Sequence, residues 1–185
     1  MSELEHLLRK YRSEYPVDIV SLIQNLGVGV EPEADLPEKI SGQVQRQSDG
    51  TYIIRANRRE HEYRRRFTMA HELGHFVLHR SILDRVGGVN DNTMYRTDIH
   101  APLYNSHIHR VHEQQANSFA ANLLMPEECV RKVHLEESGM SPLPDGSPWL
   151  ASMYRVFHVS PSAMRWRLRN LDLPFAEPVT EPVAA

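Results

Sequence analysis

Cysteine is almost absent from this sequence, since Cys129 is the only one among 185 residues. A lone cysteine excludes an intrachain disulfide and any zinc site built from several thiolates. It is also typical of proteins in a reducing cytosol, so we expect a cytoplasmic location. The sequence also lacks any apolar run near the roughly 20 residues needed to cross a bilayer. The charged start of the chain, residues 1–16, does not resemble a secretory signal. We therefore expect no membrane association.

An excess of positive charge is lacking as well. The chain carries 21 Lys and Arg against 24 Asp and Glu, a formal net charge of −3. Proteins held on nucleic acid by phosphate contacts present a positive field. The composition therefore disfavours nucleic acid as the main partner, although a local basic face stays open.

Turn and helix signals predict an α+β fold that is mainly helical, with a small β-hairpin. The hairpin turn is predicted at Asp49-Gly50, between two runs of strand-forming residues. Residues 81–107 show no periodicity and are predicted to be irregular. The predicted helices cover residues 3–14, 17–26, 63–80, 110–125, 126–138, 149–157 and 162–171.

Composition also predicts the organisation of the chain. A core is expected over residues 1–137, followed by a Pro- and Gly-rich linker over 138–148. A pair of C-terminal helices is expected over 149–173. The tail, residues 174–185, contains three prolines and little to bury, so we expect it to be disordered.

Histidine is abundant, with 11 residues, and one motif uses two of them. His71, Glu72 and His75 form an H-E-x-x-H pattern within an otherwise apolar helix. One helical turn separates the two histidines, so both imidazoles project from one face and can bind one metal ion. Glu72 is then placed as the general base of a hydrolase. Buried histidines and a carboxylate need partners, and a zinc ion would provide one.

A catalytic zinc needs a third protein ligand. His79 lies about 12 Å from His71 along the helix, which is too far to share the ion, and we interpret it as a helix-end or core-edge histidine. Glu113 belongs to the inward stripe of the helix over 110–125 and is the expected third ligand. His109 and His112 are the alternatives at this position. Asn117 lies one turn beyond Glu113 and is either a hydrogen-bond partner of a ligand or a capping or core-edge amide.

These motifs carry a family resemblance. The segments RRRFTMAHELGHFVLH and EQQANSFAANLLMP, together with the hairpin segment SGQVQRQSDGTYIIRANR, resemble the ImmA/IrrE family of metallo-endopeptidases over roughly residues 15–130. The resemblance implies a zincin-like metallopeptidase core in which His71, His75 and Glu113 bind zinc and Glu72 is the catalytic base. It also implies a bacterial or phage protease that cleaves a helix-turn-helix repressor encoded nearby.

Two parts of the peptidase site are predicted less directly. The long gap between His75 and Glu113 contains Tyr104, His107 and His109, which are candidates for a donor that stabilises the transition state. The strand around residues 52–55 is the expected sheet edge on which an extended peptide substrate could pair.

The C-terminal helix pair has a helix-turn-helix-like form with arginines at 165, 167 and 169. Packing on the core or docking of the repressor is the favoured interpretation, and DNA contact is the alternative. Two competing functions remain beside the peptidase. One is a toxin-like or regulatory interaction protein of a two-gene system with a silent or metal-sensing site. The other is a DNA-associated regulator that acts through these helices.

Overall fold

The computed structural model of the chain describes residues 3–13, 15–86, 88–90, 106–138 and 148–175. The fold of these residues is α+β, as predicted. The helices are α1 (Glu3–Arg12), α2 (Ile19–Asn25), α3 (Glu62–Leu78), α4 (Arg80–Val86), α5 (Ser106–Leu124), α6 (Glu127–Ser138), α7 (Pro148–Val156) and α8 (Pro161–Asn170). The strands are β1 (Gly29–Ala34), β2 (Gly42–Arg46), β3 (Tyr52–Asn57) and β4 (Gly88–Asn90). The chain divides into two compact units, Met1–Leu124 and Met125–Ala185.

The four strands form one sheet in the order β1-β3-β2-β4. Strands β2 and β3 form the predicted hairpin, and Gly50 in its turn adopts a positive φ of 87° that favours glycine. Strand β3 also pairs with β1 in parallel, so it is an interior strand. The prediction that residues 52–55 offer a free edge to a peptide is therefore wrong, because both sides of this strand are already hydrogen-bonded.

Helix α3 is the central element of the first unit and packs on β2, β3 and α5. Eight consecutive residues, 68–75, are buried. This burial follows from the sequence, because a helix that is apolar on nearly every side has no face suited to water. The helix therefore presents its polar residues to the protein interior, where they need specific partners.

The stretch predicted to be irregular contains two short elements. Residues 80–86 form α4, and residues 88–90 form β4, which pairs with β2. The prediction is wrong over these residues because a seven-residue helix and a three-residue strand are too short to show periodicity. Helix α5 also begins at Ser106, four residues before its predicted start. Residues 91–105 lie outside the described ranges.

The second unit contains α6, α7 and α8. Ser160 caps α8 through a hydrogen bond of 3.1 Å from the Ala163 N–H to its hydroxyl, and Pro161 occupies the first turn, as the sequence predicts. The structural division after Leu124 places α6 in the same unit as α7, on which it packs, while the predicted core over residues 1–137 stays a prediction. The predicted linker, apart from its two ends, and residues 176–185 of the predicted tail lie outside the described residues.

Contacts within the second unit hold Arg167 and Arg169 of α8. Arg167 is buried and donates its Nε–H to the carbonyl of Met125 at 2.9 Å. The guanidinium of Arg169 lies 5.4 Å from the ring centre of Phe175. These contacts agree with a packing role for α8, while its helix-turn-helix function stays a prediction.

Among the residues that the structure describes, no helix is both long and apolar enough to span a membrane.

Candidate metal centre

Helix α3 positions two imidazoles side by side. His71 and His75 lie one turn apart, and both are buried, with 6% and 1% of their surfaces exposed. Their Nε2 atoms are 3.0 Å apart. The helical spacing that the sequence predicts therefore produces two ring nitrogens that point to one place.

Glu113 on α5 completes the group. Its Oε2 lies 3.2 Å from Nε2 of His71, and its Oε1 lies 3.2 Å from Nε2 of His75. The two helices come this close at Gly74, where an added Cβ would lie only 3.1 Å from the Cα of Ala116. Among the residues described, His71, His75 and Glu113 form the cluster of His, Cys, Asp and Glu able to hold a metal ion.

Hydrogen bonds on the far side of each ring indicate which nitrogen carries the proton. Nδ1 of His71 lies 3.0 Å from Oδ1 of Asn117. Nδ1 of His75 lies 3.1 Å from Nδ1 of His79. Because an amide oxygen can only accept, the His71 ring carries its hydrogen on Nδ1 and turns the lone pair of Nε2 towards Glu113.

The electrostatics favour the protonation states that a metal requires. Burial lowers the pKa of His75, which keeps its ring neutral near pH 7. Burial raises the pKa of Glu113, but the neighbouring rings of His71 and His75, when they are protonated, donate to its carboxylate and hold that pKa well below its usual value. A neutral imidazole beside an ionised carboxylate is the state in which these side chains bind a metal.

The donor set also fits zinc in kind and in spacing. Two imidazole nitrogens and one carboxylate are the ligands of one class of catalytic zinc sites. Tetrahedral bonds of about 2.0–2.1 Å place neighbouring ligand atoms about 3.3–3.4 Å apart. The separations of 3.0, 3.2 and 3.2 Å are close to this value. Glu113 is the most exposed of the three, with 27% of its side chain accessible.

Glu72 is on the same helix but outside this cluster of described residues. It is 1% exposed, and its Cγ would lie 3.6 Å from a Cβ added at Gly42. Its side chain is therefore packed against the start of β2. A carboxylate that is buried close to the cluster without belonging to it is suited to proton transfer rather than to ligation.

Of the other residues predicted for the site, some lie next to the cluster and some lie outside the described part of the chain. Asn117 contacts His71, as one of its two interpretations requires. Of the alternatives to Glu113, His112 contacts the ring of His79, with the ring centres 4.3 Å apart and the ring planes tilted by 40°. Tyr104 and the side chains of His107 and His109 lie outside the described part of the chain.

His79 ends α3, as the sequence predicts, but sequence reasoning missed its contact with His75 and the role of Gln115. His79 contacts His75 directly, and its Nε2 lies 2.9 Å from Oε1 of Gln115 on α5. The four-residue step from His75 to His79 was the available signal for the first contact. Nothing in the sequence pattern indicates the second, because it depends on the register between two helices.

Comparisons with known proteins identify the fold and the family. Residues 23–169 match the peptidase M78 family model, described as the IrrE N-terminal-like domain. A solved structure of a Mycobacterium tuberculosis transcriptional regulator superposes with a TM-score of 0.55 at 16% identity. The superposition covers 97% of this chain but 47% of that one, so the chain spans about half of the regulator's length. At this identity the likeness concerns the fold alone. No curated protein matches the sequence significantly.

Proposed function

The chain belongs to the IrrE N-terminal-like peptidase family, and from this premise we propose that it is a zinc-dependent endopeptidase with a zincin-like core. The observation that carries the proposal is the triangle formed by the Nε2 atoms of His71 and His75 and the carboxylate of Glu113. These atoms come from two helices and meet at ligand spacing. Two lone pairs and a carboxylate facing each other in a buried site need a cation or shared protons between them.

The residues of the chain have separate roles in the proposed reaction. When bound, a zinc ion supplies a Lewis acid for hydrolysis at neutral pH. His71, His75 and Glu113 hold it, and Asn117 fixes the ring of His71. Glu72 accepts a proton from the attacking water and returns it to the departing amine. Tyr104, His107 and His109 remain proposed sources of the donor that stabilises the oxyanion.

We propose a helix-turn-helix repressor encoded nearby as the protein substrate. The support for this choice is the resemblance of the paired motifs to the ImmA/IrrE peptidases. The cluster is also not fully enclosed by the described residues, since 27% of the Glu113 side chain is exposed. The cytoplasmic location is proposed on the same basis as the substrate.

Elemental analysis and a cleavage assay test the proposal together. We expect one zinc per chain in the wild type and its loss in Glu113→Ala, because two imidazoles alone hold the ion weakly. Glu72→Gln should retain zinc and lose cleavage of the purified neighbouring repressor, because an amide cannot accept the proton. Glu136→Gln, an exposed acid on α6, is the matched control and should change neither result.

The outcomes separate the competing functions. Full zinc occupancy without cleavage by the wild type would favour a regulatory interaction protein with a silent or metal-sensing site. Absence of zinc from the wild type after growth and dialysis with added zinc would overturn the catalytic proposal. Cleavage that persists in Glu72→Gln would remove Glu72 from the mechanism.

A further inference from the structure

A chain of side-chain hydrogen bonds leads away from the cluster on the side opposite Glu113. It starts at Nδ1 of His75, which lies 3.1 Å from Nδ1 of His79. It continues from Nε2 of His79 to Oε1 of Gln115, at 2.9 Å. His79 is the C-terminal cap residue of α3 and is 6% exposed, whereas Gln115 is an exposed residue of α5. This series of hydrogen bonds therefore links α3 and α5, the two helices that carry the proposed ligands.

The direction of these hydrogen bonds follows from the chemistry of the groups. An amide oxygen only accepts, so Nε2 of His79 carries the hydrogen in its bond to Gln115. In a neutral imidazole the other nitrogen is then an acceptor, so Nδ1 of His79 accepts from Nδ1–H of His75. That leaves Nε2 of His75 without a hydrogen and with its lone pair directed at the cluster.

We propose that His79 and Gln115 are positioning residues that fix the tautomer and ring orientation of His75 for metal binding. The proposal rests on the zinc function proposed above. With these roles, the two histidine ligands have similar surroundings, because the hydrogen bonds that start at each ring end at an amide oxygen of α5. Asn117 accepts directly from His71, and Gln115 accepts from His75 through His79.

A purely structural role for His79 explains less of the geometry. Its backbone N–H donates to the carbonyl of His75 at 2.8 Å, which ends the helix without using the side chain. Contact with the ring of His112, with ring centres 4.3 Å apart, would hold the ring but would not determine which nitrogen carries the hydrogen. The pair of directed hydrogen bonds does determine it.

The decisive substitutions are at Gln115, because it is exposed and its replacement does not disturb the core. Gln115→Glu keeps an acceptor opposite His79. Gln115→Lys presents only a donor, so Nε2 of His79 must accept and the hydrogen of His79 moves to Nδ1. Two N–H groups, one from each ring, would then face each other between His79 and His75. The neighbouring exposed residue gives matched controls, because Gln114→Glu and Gln114→Lys introduce the same charges without facing His79.

The measurement is zinc affinity of the full chain by competition with a chelator. Residues that orient a metal-bound histidine typically contribute 10–100-fold to affinity. The zinc affinity of Gln114→Lys relative to Gln114→Glu measures the effect of charge alone. After correction for that effect, we expect Gln115→Lys to bind zinc about tenfold more weakly than Gln115→Glu. We expect His79→Leu to weaken binding by about 10–100-fold and His79→Gln, which restores an acceptor, to recover part of the loss.

A spectroscopic measurement reads the tautomer directly. Long-range ¹H–¹⁵N spectra of the zinc-loaded protein should show His79 with its hydrogen on Nε2 in the wild type and in Gln115→Glu, and on Nδ1 in Gln115→Lys. His134→Leu is the control for loss of a buried histidine, since His134 is 5% exposed and lies in the second unit. It should leave both the zinc affinity and the His79 spectrum unchanged.

Failure of this proposal differs from failure of the zinc function. If the wild type binds zinc tightly, and the zinc affinity of the Lys variant relative to the Glu variant is the same at position 115 as at position 114, the positioning role is overturned while the zinc function stands. If the wild type binds no zinc, both are overturned. A selective effect at 115, with the tautomer shift in the spectra, supports the positioning role.

Discussion

Gly74→Ala tests whether the close approach of α3 and α5 forms the site. Gly74 lies in the middle of α3, where alanine is the better helix former by about 1 kcal/mol. An added Cβ would lie 3.1 Å from the Cα of Ala116, 3.2 Å from its carbonyl oxygen and 3.2 Å from Cδ1 of Phe119. Carbon atoms in good contact are about 3.5–4.0 Å apart, and two of these neighbours are backbone atoms that cannot rotate away. The helices must therefore separate by a few tenths of an ångström.

Overpacking of this kind costs about 1–3 kcal/mol. After the gain in helix propensity, we expect the free energy of unfolding of the metal-free chain to fall by about 1 kcal/mol. Zinc affinity should fall by up to about tenfold, because the same separation moves Glu113 away from His71 and His75 by a distance comparable with the roughly 0.5 Å within which the ligands of a site must be held. Urea unfolding and chelator competition give the two quantities.

The control is Leu78→Ala, at a residue of α3 that is 49% exposed, which should leave zinc affinity unchanged. Greater stability by about 1 kcal/mol in Gly74→Ala, with unaltered zinc affinity, would refute the reasoning. That result would mean that the helices can separate freely and that their contact does not determine the positions of the ligands.

Three further substitutions test other parts of the fold. Gly42→Ala should lower the unfolding free energy by about 1–3 kcal/mol in urea titration, because its Cβ would lie 2.1 Å from Cγ2 of Thr68. Asp18→Ala should cost about 1 kcal/mol in thermal unfolding at pH 7, because Asp18 caps α2. Side-chain and backbone hydrogen bonds from Ser21 lower the pKa of Asp18, so this loss should vanish as the pH falls below about 4 and the wild-type carboxylate takes up a proton. Arg167→Met should destabilise the second unit by about 1–3 kcal/mol in urea titration, since it leaves a buried carbonyl without its donor.

The extent to which the fold could be predicted depends on element length. The 17-residue helix α3 and the Ser160-Pro161 start of α8 were predicted because periodicity and capping act within one element. The short elements α4 and β4 carry too few residues for such a pattern. Strand β3 was expected at an edge, but its parallel pairing with the distant β1 makes it interior. The residues of the hairpin do not indicate this partner, because β1 belongs to an earlier part of the sequence and pairs with β3 only in the folded chain.

The residues of the site also differ in whether a single helix or the packing of two helices determines their positions. The relative positions of His71 and His75 are set by helical geometry, so the sequence predicts them without knowledge of the fold. Glu113 could be predicted only as an inward residue of another helix, and its ligand distances depend on how α3 and α5 align. Gln115 could not be predicted at all, because an exposed glutamine becomes specific only through the one histidine it faces. Local patterns can therefore nominate ligands, but the groups that orient those ligands emerge only from the register between helices. The Gly74 and Gln115 substitutions disturb that register and that contact separately, and so measure how much of the metal affinity each provides.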